Sequence, residues 1–152
     1  MGTEYNYYWI GSSGQTIYQL KGRHHEHQKK KRIKPGNPWY FVQAAEISWS
    51  MFYYAYLNDV LAAEGSIPFR VDKGRYLRVG PAFLEFHFGA EPVRVTREEI
   101  ASVSLAQGQF SFKHKDAKWY SSAGKFSFAY ARIGNARVFL VALEKLVGYR
   151  WG

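Results

Sequence analysis

The chain has 152 residues, enough for one domain or for one small domain with an appendage. Apolar residues make up 47% of it and charged residues 22%, which excludes wholesale disorder. The lack of cysteine excludes a disulfide framework, thiolate catalysis and cysteine-ligated zinc or iron–sulfur sites. A net charge of +9 and the 5 Trp, 12 Tyr and 11 Phe predict an anionic partner and a sheet-rich core.

Residues 5–21 have the pattern of a β-hairpin. The runs YNYYWI and TIYQLK are rich in strand-favouring residues, and the GSSGQ between them supplies glycines for the turn. The start of the chain shows no basic region followed by a long aliphatic run, as a secretory signal would have. We therefore expect a cytoplasmic location, peripheral at the membrane if the chain binds lipid.

Residues 21–34 form a basic segment with seven Lys or Arg against one Glu. Closely spaced cations attract anionic lipid and release counterions from nucleic acid, while a solvated linker is the plain alternative. The candidate anion-binding residues in this segment are Lys29, Lys30, Lys31, Arg32 and Lys34.

The same segment contains a cluster of histidines, His24, His25 and His27. Imidazoles on a flexible loop chelate metal readily, but a functional site needs fixed geometry and supporting partners. Only Glu26 offers a nearby carboxylate. We therefore expect no functional metal site and no cofactor.

Residues 39–64 are the best candidate for a helix. Asn37 can cap it, Pro38 suits its first position and Gly65 can end it. A helical projection places aromatic and apolar residues on one side and a narrow polar stripe opposite, so most of the circumference should be covered. The aromatic side comprises Phe41, Ala45, Trp49, Phe52 and Tyr56.

Three interpretations of this helix are open: a core-packing helix, an interfacial helix and a membrane span. Its length and the basic residues before it fit a span. The polar residues at 43, 46, 48 and 50, and the preference of Tyr and Trp for interfaces, argue against one. The helix could also associate with another chain and make the protein an oligomer.

From residue 67 onward the hydrophobic pattern changes to a period of two, which predicts strands. Leu84, Phe86 and Phe88 should share one face of a strand, with Glu85 and His87 on the other. The strand segments are FRVDKGRYLRVG (as one long bent strand or more), AFLEFHF, PVRVTR, IASVSL, QFSFKHK, KWYSS and KFSFAYA. A helix capped by Asn135 should follow, with a broad apolar face.

Two aromatic rows recur in these strands, Phe110/Phe112 and Phe126/Phe128/Tyr130. Interleaved lysines would allow them to stack on single-stranded nucleic acid. Alternating aromatics in a sheet more often face inward, and we expect these rows to form the core.

The segments at 93–108, VRVTREEIASVSLAQG, and 125–147, KFSFAYARIGNARVFLVALEKLV, carry a family resemblance. The order of strands followed by one helix resembles the pleckstrin-homology-like superfold. The resemblance implies an α+β fold in which a bent seven-stranded antiparallel sheet or barrel is capped by the C-terminal helix. It covers residues 66–152, and the N-terminal hairpin and long apolar helix lie outside it.

The resemblance also implies a binding module for phosphoinositide headgroups, peptides or partner domains. Members that bind phosphoinositides have basic residues around the first turn between strands. The residues here that look similar to that arrangement are Arg70, Lys73, Arg75 and Arg78.

The polar, basic segment 114–124 contains an aromatic pair, Trp119 and Tyr120. Such a pair can anchor a partner, because buried aromatics dominate many interfaces. It can equally belong to a strand that closes the sheet.

For catalysis the sequence offers no cysteine nucleophile and no hydrolase, phosphate-loop or metalloprotease motif. Glu46, Asp59 and His87 or His114 could converge only through folding. We expect no enzyme and no catalytic residues.

We therefore divide the chain into a hairpin and basic segment (1–37), an apolar helix (38–65) and a pleckstrin-homology-like domain (66–152). The predicted function is a non-catalytic adaptor that binds an anionic membrane surface or a partner protein. Nucleic-acid binding through the basic segment is the rival, and a structural subunit of a larger assembly is a third alternative.

Overall fold

The computed structural model describes residues 2–10, 15–25 and 38–149. The chain divides into two compact units, Met1–Met51 and Phe52–Gly152, and the division falls within the first helix. The basic residues of the run at 29–34 lie outside the described residues, as does His27.

The N-terminal unit is built on the predicted hairpin. Strands β1 (Gly2–Ile10) and β2 (Thr16–His25) pair antiparallel, with a bulge between Trp9 and Ile10. β2 extends into the predicted basic segment, so residues 21–25 belong to a strand and not to a linker. In this extension the exposed residues Lys21 and Arg23 alternate with the half-buried residues Gly22 and His24, as the period of two in a strand requires.

One side of the hairpin packs on the first part of helix α1 (Pro38–Glu64) within this unit. Tyr5 is buried, with its ring centroid 5.2 Å from that of Trp39. The Tyr7 hydroxyl accepts a hydrogen bond from Gln43 Nε2 (3.0 Å) and donates one to Glu46 Oε2 (3.4 Å). Gln43 and Glu46, from the polar stripe of α1, therefore face the hairpin.

The aromatic side of α1 is exposed in the described structure. Phe41 is 64% exposed and Phe52 69% exposed, so the described part of the chain does not cover this side at these residues. Its association with another chain or with a bilayer stays a prediction. The helix ends at Gly65, whose positive φ of 70° lets its N–H turn back to the Leu61 carbonyl (2.8 Å).

Within the described ranges, no helix combines the length and the apolar character needed to cross a membrane.

The C-terminal unit contains seven strands in two antiparallel sheets. The four-stranded sheet has the order β3–β4–β5–β6 and the three-stranded sheet the order β7–β8–β9. Their bounds are β3 Ile67–Asp72, β4 Arg75–Gly80, β5 Phe83–His87, β6 Val93–Thr96, β7 Ile100–Ala106, β8 Gln109–His114 and β9 Lys125–Ala129. With the hairpin and the helices, they confirm the α+β class.

The structure resolves one open strand prediction and corrects another. The segment 69–80, predicted as one long bent strand or more, is a hairpin of two strands, because Gly74 adopts a φ of 81° and turns the chain at Lys73–Gly74. The prediction of a strand at KWYSS is wrong, because residues 118–122 are part of an irregular loop between β8 and β9.

The core lies on the inward faces of the two sheets. Phe86 of β5 is 1% exposed and stacks on Phe126 of β9, with 3.9 Å between the ring centroids. Phe110, Phe112 and Phe128 are buried as well. The predicted core role of the aromatic rows is confirmed, and stacking on nucleic acid through these buried rings is excluded.

The chain closes with helix α2 (Ala136–Ala142), which continues directly into a π-helical turn at Leu143–Val147. Asn135 occupies the N-cap position as predicted, in a left-handed conformation and without a side-chain capping bond. The buried residues of this segment are Val138, Phe139, Ala142, Leu143 and Val147.

Replacing Phe139 by alanine should lower the free energy of unfolding by about 3–5 kcal/mol, because the ring is fully buried and its removal leaves a cavity. Urea denaturation followed by tryptophan fluorescence measures the loss. The control is Tyr120→Ala, which removes a ring that is 66% exposed and should change stability by no more than about 0.5 kcal/mol. Equal losses in the two variants would contradict the assigned core.

Candidate anion-binding site

The turn between β3 and β4 brings several cations around one carboxylate. Arg75 Nε lies 3.0 Å from both Asp72 carboxylate oxygens, and its Nη2 also contacts Oδ2. Arg132 Nη1 lies 3.8 Å from Asp72 Oδ2. Arg70 Nε is 3.5 Å from the Asp72 carbonyl oxygen. We call Arg70, Lys73, Arg75 and Arg132 around Asp72 the Asp72 cluster.

The strand pattern of β3 places Arg70 in this cluster. Phe69 and Val71 are buried, so Arg70 between them points away from the core. The backbone is irregular between Arg70 and Asp72 at the end of the strand. The turn at Lys73–Gly74 then leads Arg75 back beside Asp72.

Arg132 belongs to the Asp72 cluster although it lies far from Asp72 in the sequence. It lies in a short 3-10 segment, Tyr130–Arg132, that directly follows β9. The Gly134 N–H donates to the Arg70 carbonyl (2.8 Å) and ties this segment to the edge of β3. Ile133, which lies between Arg132 and Gly134 in the sequence, is buried.

The Asp72 cluster has a surplus of positive charge, with four cations against one acid. The hydrogen bond from Arg75 lowers the pKa of Asp72, and Arg75, Arg132 and Arg70 lower it further by their charge. Asp72 therefore stays ionised and orders the arginines without neutralising them. Arg132 remains 65% exposed, so its guanidinium can reach a ligand.

Guanidinium groups suit this role because their planar array of donors matches the oxygens of phosphate and carboxylate groups. Several of them lie at one exposed turn, which makes the Asp72 cluster a candidate site for an oxyanion.

Of the four residues predicted at this turn, Arg70 and Arg75 contact Asp72. Lys73 follows Asp72 in the turn, and Arg78 lies outside the cluster. Arg78 points to the end of α1, where it contacts Glu64 (2.5 Å) and donates to Ser66 Oγ (2.8 Å).

Arg132 is the residue that sequence reasoning missed. Its only sequence signal is a basic side chain directly after the last strand, and nothing in the local pattern connects it with Asp72. The predicted residues Lys29, Lys30, Lys31, Arg32 and Lys34 lie outside the described residues.

Trp119 and Tyr120 lie in the loop between β8 and β9, and both are strongly exposed, Trp119 by 87%. The Lys125 ammonium donates to the Trp119 carbonyl (3.0 Å), and Lys118 lies 5.7 Å from the centre of the Tyr120 ring. This loop precedes β9 and Arg132 follows it, so the two features lie at opposite ends of that strand.

The two histidines considered for chemistry, His87 and His114, have local partners. His87 contacts Glu85 (2.7 Å), and His114 lies 3.9 Å from Glu99 and 3.7 Å from Asp116. In the part of the chain that the structure describes, no three His, Asp or Glu side chains form a group that could hold a metal ion.

Comparison of the chain with protein-family models, with curated proteins and with solved structures finds no match.

Replacing Arg75 by glutamine should raise the pKa of Asp72 toward its ordinary value, because the main hydrogen bond that favours the carboxylate is lost. Carbon-13 NMR of the side-chain carboxyl during a pH titration measures the change. A lowered native pKa adds stability above the unfolded pKa, and this is lost as the pH falls through the native value. The free energy of unfolding of R75Q should therefore fall less on acidification than that of the unaltered protein.

Arg94→Gln is the matched control, because Arg94 pairs with Glu85 and not with Asp72. It should leave the Asp72 titration unchanged. An Asp72 pKa that R75Q does not move would contradict the assigned hydrogen bonds.

Proposed function

We propose that this protein is a non-catalytic binding module that attaches to an anionic membrane surface through the Asp72 cluster. The observation that carries the proposal is that Arg75 and Arg132 lie beside the carboxylate of Asp72 at an exposed turn, with Arg70 at the Asp72 backbone carbonyl. Phosphate groups of lipid heads are oxyanions of the kind that such a cluster binds.

We also propose that residues 66–152 form a pleckstrin-homology-like domain. Supporting this are the sheets of four and three strands in sequence order, followed by a helix with a buried face. The cluster lies at the first turn between strands of this segment, which is the place that the resemblance implies for anion binding.

Other features of the chain favour a membrane over nucleic acid as the partner. The aromatic rows that could have stacked on bases are in the core. Trp119 and Tyr120 are among the exposed rings, follow Lys118 directly and belong to the residue types enriched at membrane–water interfaces. The basic run at 29–34 would add attraction, since each base near an anionic surface contributes about 1 kcal/mol.

A partner protein that docks on Trp119 and Tyr120 is the second candidate. It is favoured by the 87% exposure of Trp119, because large exposed aromatic side chains frequently anchor protein interfaces. The double variant W119A/Y120A separates the two. If the double variant binds vesicles normally, Trp119 and Tyr120 do not contact lipid, and the protein-partner proposal is favoured. If its vesicle binding is weaker, the pair contributes to membrane attachment.

The protein should sediment with vesicles of phosphatidylcholine mixed with phosphatidylserine and not with phosphatidylcholine alone. Replacing Arg132 by glutamine should weaken this binding about fivefold, and R70Q/R132Q should weaken it about thirtyfold, from about 1 kcal/mol per base. Co-sedimentation over a range of lipid concentrations measures both.

R94Q is a close control for R132Q. Arg94 and Arg132 are exposed by 60% and 65%, each lies near a carboxylate, and each substitution removes one positive charge. Equal effects of R94Q and R132Q would show that the cluster has no special role. Equal binding to both kinds of vesicle, or to neither, would overturn the membrane proposal.

A further inference from the structure

The C-terminal unit contains a pocket whose lining does not include the Asp72 cluster. The pocket has a volume of about 490 Å³, within the range typical of small-molecule sites. It is formed by the last part of α1, the start of β3 and the C-terminal helical segment. Its lining includes Tyr54, Leu57, Leu61, Val141 and Lys145.

The spacing of the lining residues shows that two helical faces form a trough. Those of α1 fall between Tyr54 and Leu61 at helical spacing, and those of the C-terminal segment between Val138 and Leu146. Seven residues of helix extend about 10 Å. A trough of this form, walled largely by aliphatic side chains, suits a linear hydrocarbon chain better than a compact polar molecule.

The charged and polar groups of the pocket are few. Lys145, on the C-terminal segment, is the charged residue among the described residues that line it. Its side chain is exposed, so the ammonium can stay in water while its stem borders the trough. A hydrocarbon chain bound there would have its head group beside a cation, which favours an anionic head.

The hydroxyl of Tyr54 is a second, independent observation. It is buried and has no hydrogen-bond partner among the described residues. Buried hydroxyls are nearly always hydrogen-bonded, so this one lacks an acceptor. Burial raises the pKa of Tyr54, which keeps the phenol neutral and able to donate. A turn of the ring toward the trough would present it to an oxygen of a bound head group.

From the trough, Lys145 and Tyr54, we propose that this pocket binds a single-chain amphiphile with an anionic head, such as a fatty acid. The hydrocarbon would lie between α1 and the C-terminal helical segment, and the carboxylate beside Lys145. This site is separate from the proposed membrane attachment and does not depend on it.

Isothermal titration with dodecanoate, below the concentration at which it forms micelles, tests the proposal. We expect saturable binding of one molecule per chain. Dodecyltrimethylammonium, which has the same chain and a cationic head, should bind at least about tenfold more weakly. Lys145→Gln should remove this preference, and Lys113→Gln, which removes a lysine outside the pocket, should retain it.

Val141→Trp should abolish binding of both amphiphiles, because the larger side chain fills the trough. If circular dichroism shows that V141W does not fold, Leu61→Trp replaces it, and the K145Q comparison stands by itself because Lys145 is exposed. R132Q should bind dodecanoate as tightly as the unaltered protein, so failure of membrane attachment leaves this result unaffected.

The proposal is overturned if dodecanoate shows no saturable binding, if the cationic amphiphile binds as tightly, or if a folded V141W or L61W variant binds dodecanoate normally. Unchanged head-group preference in K145Q would also overturn it.

Discussion

The ring of Phe139 is the contact on which the C-terminal unit depends. It is fully buried and lies edge-on to Phe69, with 5.3 Å between the centroids, and to Phe110, with 5.1 Å. Phe69 belongs to the four-stranded sheet and Phe110 to the three-stranded one, so one helical side chain contacts both sheets. Since α2 has only seven residues, its stability must come from this packing and not from helix propensity.

The same core positions the Asp72 cluster. Burial of Phe69 fixes which face of β3 is inward and so directs Arg70 outward. Burial of Ile133 holds the segment after β9 against the domain, which leaves Arg132 beside Asp72. The cluster is exposed, yet its geometry is set by apolar side chains beneath it.

The sequence was informative wherever side chains alternate strictly. Phe110 and Phe112 repeat every second residue, and both are buried. The pattern left the turn Lys73–Gly74 open, because basic and apolar residues alternate on both sides of it and only the conformation of glycine interrupts them. Prediction failed for Arg132, whose place beside Asp72 depends on pairing between distant parts of the chain. Long-range placement of this kind leaves no local pattern.

The ratio of cations to acids distinguishes the Asp72 cluster from the other basic residues of the unit. Arg78 pairs with Glu64, and Arg94 pairs with Glu85, which His87 also contacts. Asp72 is shared by several arginines and can satisfy only part of their donors. The proposed oxyanion would therefore bind the remaining donors without breaking an existing ion pair. A high net charge alone would not create such a site, because each cation with a partner of its own has to be separated from it before it can bind a ligand.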